Sequence, residues 1–132
     1  LTNATDGMAN VWSDGVIKIL KTFADNPLPS ARTRPWTGRW WSLRGTEDLV
    51  PFGHKVMLAA PGRLDPFAEA EEITVSARDQ GVISLAGGYG SHGEAARLVR
   101  GRDGKVREVW LGGTRLVSES RIKAEMKKRY GN

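Results

Sequence analysis

The period of the apolar residues changes once along this chain. From Met8 to Ala24, residues Val11, Trp12, Gly15, Ile19 and Phe23 recur near helical spacing, with Val16 and Leu20 widening the stripe. The pattern predicts an amphipathic helix with Asp6 as its N-cap. It should end near Asp25-Asn26, because Pro27 disfavours helical backbone at the residue before it. The next stretch, Pro27-Leu28-Pro29-Ser30-Ala31-Arg32-Thr33-Arg34-Pro35, reads as a semi-extended linker stiffened by proline. It divides residues 1–35, a helix and tether, from residues 36–132.

Beyond Pro35 the period shortens to two. Thr37 to Leu43 is a strand candidate, followed by a loop holding Gly45 and Pro51-Phe52-Gly53 and then a strand from Lys55 to Ala60. In Glu72 to Arg78, Ile73, Val75 and Ala77 should face one way and Thr74 and Ser76 the other. Asp79-Gln80-Gly81 turns that strand into Val82–Ala86. Ala95–Arg100 and Val106–Leu111 flank Asp103-Gly104, a dipeptide whose residues tolerate positive φ and so favour a hairpin. Gly112-Gly113 leads into Thr114–Val117. Closely spaced strands with glycine-rich turns predict an antiparallel barrel or sandwich. A last helix is predicted from Glu119 to Tyr130, with Ser118 as N-cap and Lys127, Lys128 and Arg129 at the negative end of its dipole.

Composition narrows the reading. A chain of 132 residues suits one compact domain with an attached helix. No apolar run approaches the roughly 18 residues of a membrane-spanning helix. The absence of cysteine excludes disulfides, thiolate catalysis and cysteine-bound zinc within these residues, and suits reducing and oxidising compartments alike. The segment from Leu1 to Asp6 has no basic and apolar pattern of a signal peptide and reads as an internal cut. Net charge is +5, but the charges are interspersed and only Lys127-Lys128-Arg129 is tightly basic. The expectation is a solvated surface and no nucleic-acid partner, since basic residues are not interleaved with surface aromatics.

Chemical motifs overlap in one loop, Gly87-Gly88-Tyr89-Gly90-Ser91-His92-Gly93-Glu94. The G-x-G-x-x-G at Gly88, Gly90 and Gly93 needs a following helix N-terminus to bind pyrophosphate. A hairpin follows instead, so the glycines read as a β-turn or bulge. His92-Gly93-Glu94 has the H-x-E of zinc deaminases without the cysteines that complete the site. Tyr89 stands where a G-x-S-x-G elbow requires glycine. His54 and His92, the only histidines, have no ligand spacing around them, so no metal is expected. Ser120-Arg121-Ile122-Lys123 matches S-x-x-K, but no K-T-G strand follows it. No catalytic, cofactor or metal residues are assigned. The residues singled out for a ligand pocket or partner surface are Trp40, Trp41, Tyr89, His92 and Trp110. Trp40 and Trp41 are adjacent and must face opposite sides of their strand, one inward and one toward a helix or partner.

The runs WTGRWWSLRGTEDLVPFGHKVMLAAPGRLDPF and ITVSARDQGVISLAGGYGSHGEAARLVRGRDGKVREVWLGGTRL resemble the C-terminal region of beta-lactamase-related serine hydrolases. Those include class C-like esterases and penicillin-binding homologues of the D-aminopeptidase type. The resemblance covers about Pro35 to Tyr130, and Gly38-Arg39-Trp40 also resembles the G-x-W of lipocalins. It implies a small antiparallel lipocalin-like β-barrel with an N-terminal and a C-terminal helix. Residues 6–24 would then be the end of, or a tether from, a catalytic domain in the same polypeptide. The family's catalytic serine, lysine and tyrosine have no counterpart here. The expected role is a non-catalytic accessory domain that packs on the catalytic domain and modulates substrate access or oligomerisation. The alternative is a module for a small hydrophobic ligand. The partners on these readings are the catalytic domain, such a ligand, and further copies in a homo-oligomer.

Overall fold

The computed structural model describes residues 8–85 and 91–131. Helix α1 spans Met8–Asp25 and helix α2 spans Glu119–Tyr130. Between them run β1 (Gly38–Ser42), β2 (Gly45–Phe52), β3 (Lys55–Ala59), β4 (Glu71–Ala77), β5 (Gln80–Leu85), β6 (Ala95–Arg100), β7 (Val106–Leu111) and β8 (Thr114–Val117). Each strand pairs antiparallel with its chain neighbour, and β1 meets β8 with Trp41 opposite Val117. The described residues therefore form a closed eight-stranded barrel, the small lipocalin-like architecture expected. Closure pairs every strand on both sides, so that only local stretches such as the end of β2 lack a neighbour.

Alternation sets the core. Leu49, Val56, Ile73, Ile83, Val109 and Leu116 point inward and are almost fully buried. Ile73 and Val75 face inward as expected, but Ala77 is exposed. A register shift between Val75 and Ala77 breaks the alternation there.

Three expectations are corrected. The segment Gly45–Phe52 is a strand and not a loop. Pro51 is tolerated because β1 pairs with β2 only from Gly45 to Leu49, so Pro51 lies on a local edge and faces β3 alone. The linker is semi-extended only at its start; Ala31–Pro35 turns and packs beneath the barrel. Its Thr33 is fully buried, and the Thr33 hydroxyl donates to the Gly53 carbonyl at 2.7 Å. Trp36, which follows, is fully buried in the core. Ser118 occupies the N-cap position of α2 but makes no side-chain cap bond; its hydroxyl lies 3.2 Å from that of Ser120.

The two helices sit differently. In α1, Gly15 lies so close to the Leu64 carbonyl that a Cβ would meet it at 2.7 Å, which lets the helix settle on the loop joining β3 and β4. Lys18 pairs with Asp65 at 3.7 Å, and Phe23 stacks edge-on with Phe52 and Phe67. In α2 no residue is buried, and ion pairs tie it to the barrel. Glu108 on β7 accepts from Arg115 at 3.0 Å, from Trp110 at 3.1 Å and pairs with Arg121 of α2 at 2.9 Å. Arg115 also donates to Glu125 of α2. No helix of the described residues is long and apolar enough to cross a membrane.

Candidate functional site

The ends of the barrel are unlike. At one end lie the β2–β3 and β4–β5 turns and the chain entering β1. Trp36 closes that end, its indole N–H donating to the Arg78 carbonyl at 3.1 Å. At the other end, the β1–β2 and β7–β8 turns and the long β3–β4 loop surround an open cavity of about 790 Å³. Its walls include Leu58, Ile83, Leu111 and Leu116, all on inward positions. The size falls within the range of small-molecule sites, roughly 300–1,000 Å³.

The mouth is polar. Glu47, Glu69, Glu71 and Glu94 line it together with Arg44 and Arg63. Glu47 is on β2 in phase with inward Leu49, two residues nearer the mouth. Glu71 opens β4 opposite Leu58 and accepts from the Ser91 hydroxyl at 2.9 Å. The Glu94 carboxylate lies over Gly112, whose φ of 54° and missing Cβ leave it room. Among the described residues no group of three or more acids or histidines gathers at metal-binding distances.

Protein-family models, curated proteins and solved structures were compared with the chain, and none matches. The chemistry of the site therefore rests on its own geometry.

The residues singled out by sequence lie elsewhere. Trp40 packs against the core and turns its indole N–H back to the Thr37 carbonyl at 3.2 Å. Trp41 takes the opposite face of β1, the strand that α2 contacts. Trp110 is on the outer face of β7, with the Arg97 guanidinium 4.9 Å from its ring centre. His92 is exposed, and Tyr89 is outside the described residues. None of Trp40, Trp41, His92 and Trp110 is among the described residues that line the cavity. Of the glycine-rich loop, the described part pairs with β5: Gly93 N–H donates to the Ile83 carbonyl at 2.8 Å, and Ile83 N–H to that of Glu94 at 2.9 Å. Gly93 has φ of 86°, and strand β6 follows it, so no helix begins after Gly93.

Glu47 is the electrostatically unusual group. Burial pushes its carboxyl above the ordinary carboxylate range, the charges of Glu71 and Asp48 add to this, and Arg63 opposes it. Between the ordinary and the raised pKa the folded state holds the extra proton, so Glu47 makes stability fall as pH rises through that window. Asp79 and Glu108 act oppositely. Hydrogen bonds from Arg100 and Arg115, respectively, hold their carboxyls below the ordinary range, so their contribution is lost on acidification. Glu47→Gln is expected to stabilise the fold at neutral pH, with a gain that shrinks as pH falls through the window. Urea denaturation of both proteins across pH measures this, and a difference that does not change with pH would refute the assignment.

Proposed function

We propose that this chain is a non-catalytic barrel domain that docks on a catalytic domain of the same polypeptide, of the beta-lactamase-related serine hydrolase type. The observation that carries the docking is the outer face of α1. Trp12, Val16, Ile17 and Leu20 are 54–63% exposed at helical spacing, while Gly15 and Ile19 take the side toward the barrel. An apolar stripe of this size on an otherwise charged domain is the kind of surface that a partner covers. The resemblance supplies the identity of that partner. The S-x-x-K residues support the non-catalytic reading: Lys123 pairs with Glu119 at 2.6 Å and Ser120 with the Ser118 hydroxyl. Neither arrangement puts the lysine amine on the serine.

The coding sequence upstream of Leu1 tests the parentage. It should encode S-x-x-K, then Tyr-x-Asn or Tyr-x-Ser, then a K-T-G or H-x-G strand. Turnover of nitrocefin or p-nitrophenyl esters by the isolated chain, abolished in Ser120→Ala, would overturn the non-catalytic role.

A second reading, a small-molecule binding module, is favoured by the open cavity with its aliphatic walls. The two are compatible, because α1 and the mouth present separate surfaces: the residues of the α1 stripe do not line the cavity.

A further inference from the structure

The sign of the cavity runs against that of the chain. The protein carries a net charge of +5, yet among the described residues four carboxylates line the mouth against two guanidinium groups. One of those cations is already engaged, since Arg63 donates to Glu69 at 3.1 Å. Among the described residues, Glu47, Glu71 and Glu94 have no ion-pair partner. No lysine or arginine occurs among residues 1–7, 86–90 or 132. The carboxylates surround a cavity whose deeper walls are Leu58, Ile83, Leu111 and Leu116. A molecule entering it meets acids at the rim and hydrocarbon below.

We propose that the barrel mouth binds a small organic cation, a primary ammonium or guanidinium carried on an aliphatic body. The cavity is the site; the carboxylates set the sign of what it accepts. This rests on the second reading above and gives it a ligand class. An aliphatic tail would lie against the leucine and isoleucine walls, where removal of apolar surface from water favours it. The cationic head would donate charge-assisted hydrogen bonds to Glu47 and Glu71, which are stronger and shorter than neutral ones. A fatty acid of the same length would place its carboxylate among four others and is disfavoured. A bare metal ion is disfavoured by geometry, since the acids do not converge on one point.

Calorimetric titration of the folded chain with octylamine, octanol and octanoate tests the assignment, because the three share one tail. Octylammonium should saturate, at least about tenfold tighter than octanol, and octanoate should not bind. The double variant Glu47→Gln, Glu71→Gln should lose about tenfold in amine affinity and keep its affinity for octanol. Amine affinity should also fall as pH drops through the raised pKa of Glu47, where Glu71, Glu69, Glu94, Arg44 and Arg63 are the other charges facing the cavity. If the double variant melts early, Glu47→Gln alone and the three-ligand comparison on the parent chain decide. Octanol binding as tightly as octylamine would overturn the cationic class and leave the cavity as a ligand site. No binding by any of the three would overturn the binding reading itself, and the proposal with it.

Discussion

Replacing Trp36 with alanine is expected to destabilise the protein by about 3–5 kcal/mol, the range for deleting a large buried aromatic. Set against a domain stability of roughly 5–15 kcal/mol, that is enough to unfold a substantial fraction of the molecules or to bring the chain close to it. Two terms act together. Trp36 has no exposed surface and sits in the core cluster, so truncation leaves a cavity between the strand ends. Its indole N–H also satisfies the Arg78 carbonyl in the β4–β5 turn, which would lose that donor. The local chain holds the ring in place. Trp36 N–H donates to the Thr33 carbonyl at 2.8 Å, and Thr33 is itself anchored to Gly53. Trp36→Phe should be milder, because most of the ring volume remains and only the indole donor is lost. Urea midpoints followed by circular dichroism give both values, and a loss below about 1 kcal/mol for Trp36→Ala would show that the ring is not a structural plug.

This plug was only half legible in the sequence. Trp36 follows directly on the linker in the sequence, and the prolines before it read as a spacer. What turns the spacer into a plug is a set of tertiary contacts: the Thr33 hydroxyl and the Ser30 N–H both donate to the Gly53 carbonyl, the Gly53 N–H donates to the Pro27 carbonyl, and the Trp36 indole reaches Arg78, and no local pattern encodes them. The strands with clean alternation were legible, as was the Asp103-Gly104 hairpin, where Gly104 takes φ of 75°. Strand β2 was not, because Gly45 and Pro51-Phe52-Gly53 read as loop chemistry.

The miss at β2 also hid the site. The direction in which a side chain points follows from strand register, so Glu47 becomes a wall of the cavity only once Gly45–Phe52 is a strand. A signal was present: Glu47 and Leu49 share a phase, and an acid in phase with a core leucine near a strand end points into a barrel mouth. The tryptophans drew attention by size. Size reports how much surface a residue buries, and the open part of a barrel is the part that large side chains leave unfilled. The glycine-rich loop drew attention by motif, yet its described part serves to pair Gly93 and Glu94 with Ile83 and to bring Glu94 to the mouth.

The close approach of β4 and β5 yields the other large effect. Ile73→Ala should cost about 2–5 kcal/mol, because the residue is fully buried in the cluster. Gly81→Ala should cost about 1–3 kcal/mol for a different reason. A Cβ at Gly81 would lie 2.7 Å from Ile73 Cγ2 and 2.9 Å from the Thr74 carbonyl oxygen, so both a packed side chain and a backbone atom resist it. The two costs should not add. In the Ile73→Ala background Cγ2 is gone, and the new methyl enters space that the first substitution emptied. What remains is the contact with the Thr74 oxygen, which depends on backbone and persists in both backgrounds. The double variant is therefore expected to be more stable than the sum of the singles predicts by about 0.5–1.5 kcal/mol, within the usual range for residues in contact. Full additivity in a denaturation cycle would mean that the backbone oxygen alone excludes a side chain at Gly81. Ile83 lies opposite Ile73 in the pairing of these strands and lines the cavity, so loosening this pair would also reach the cavity wall.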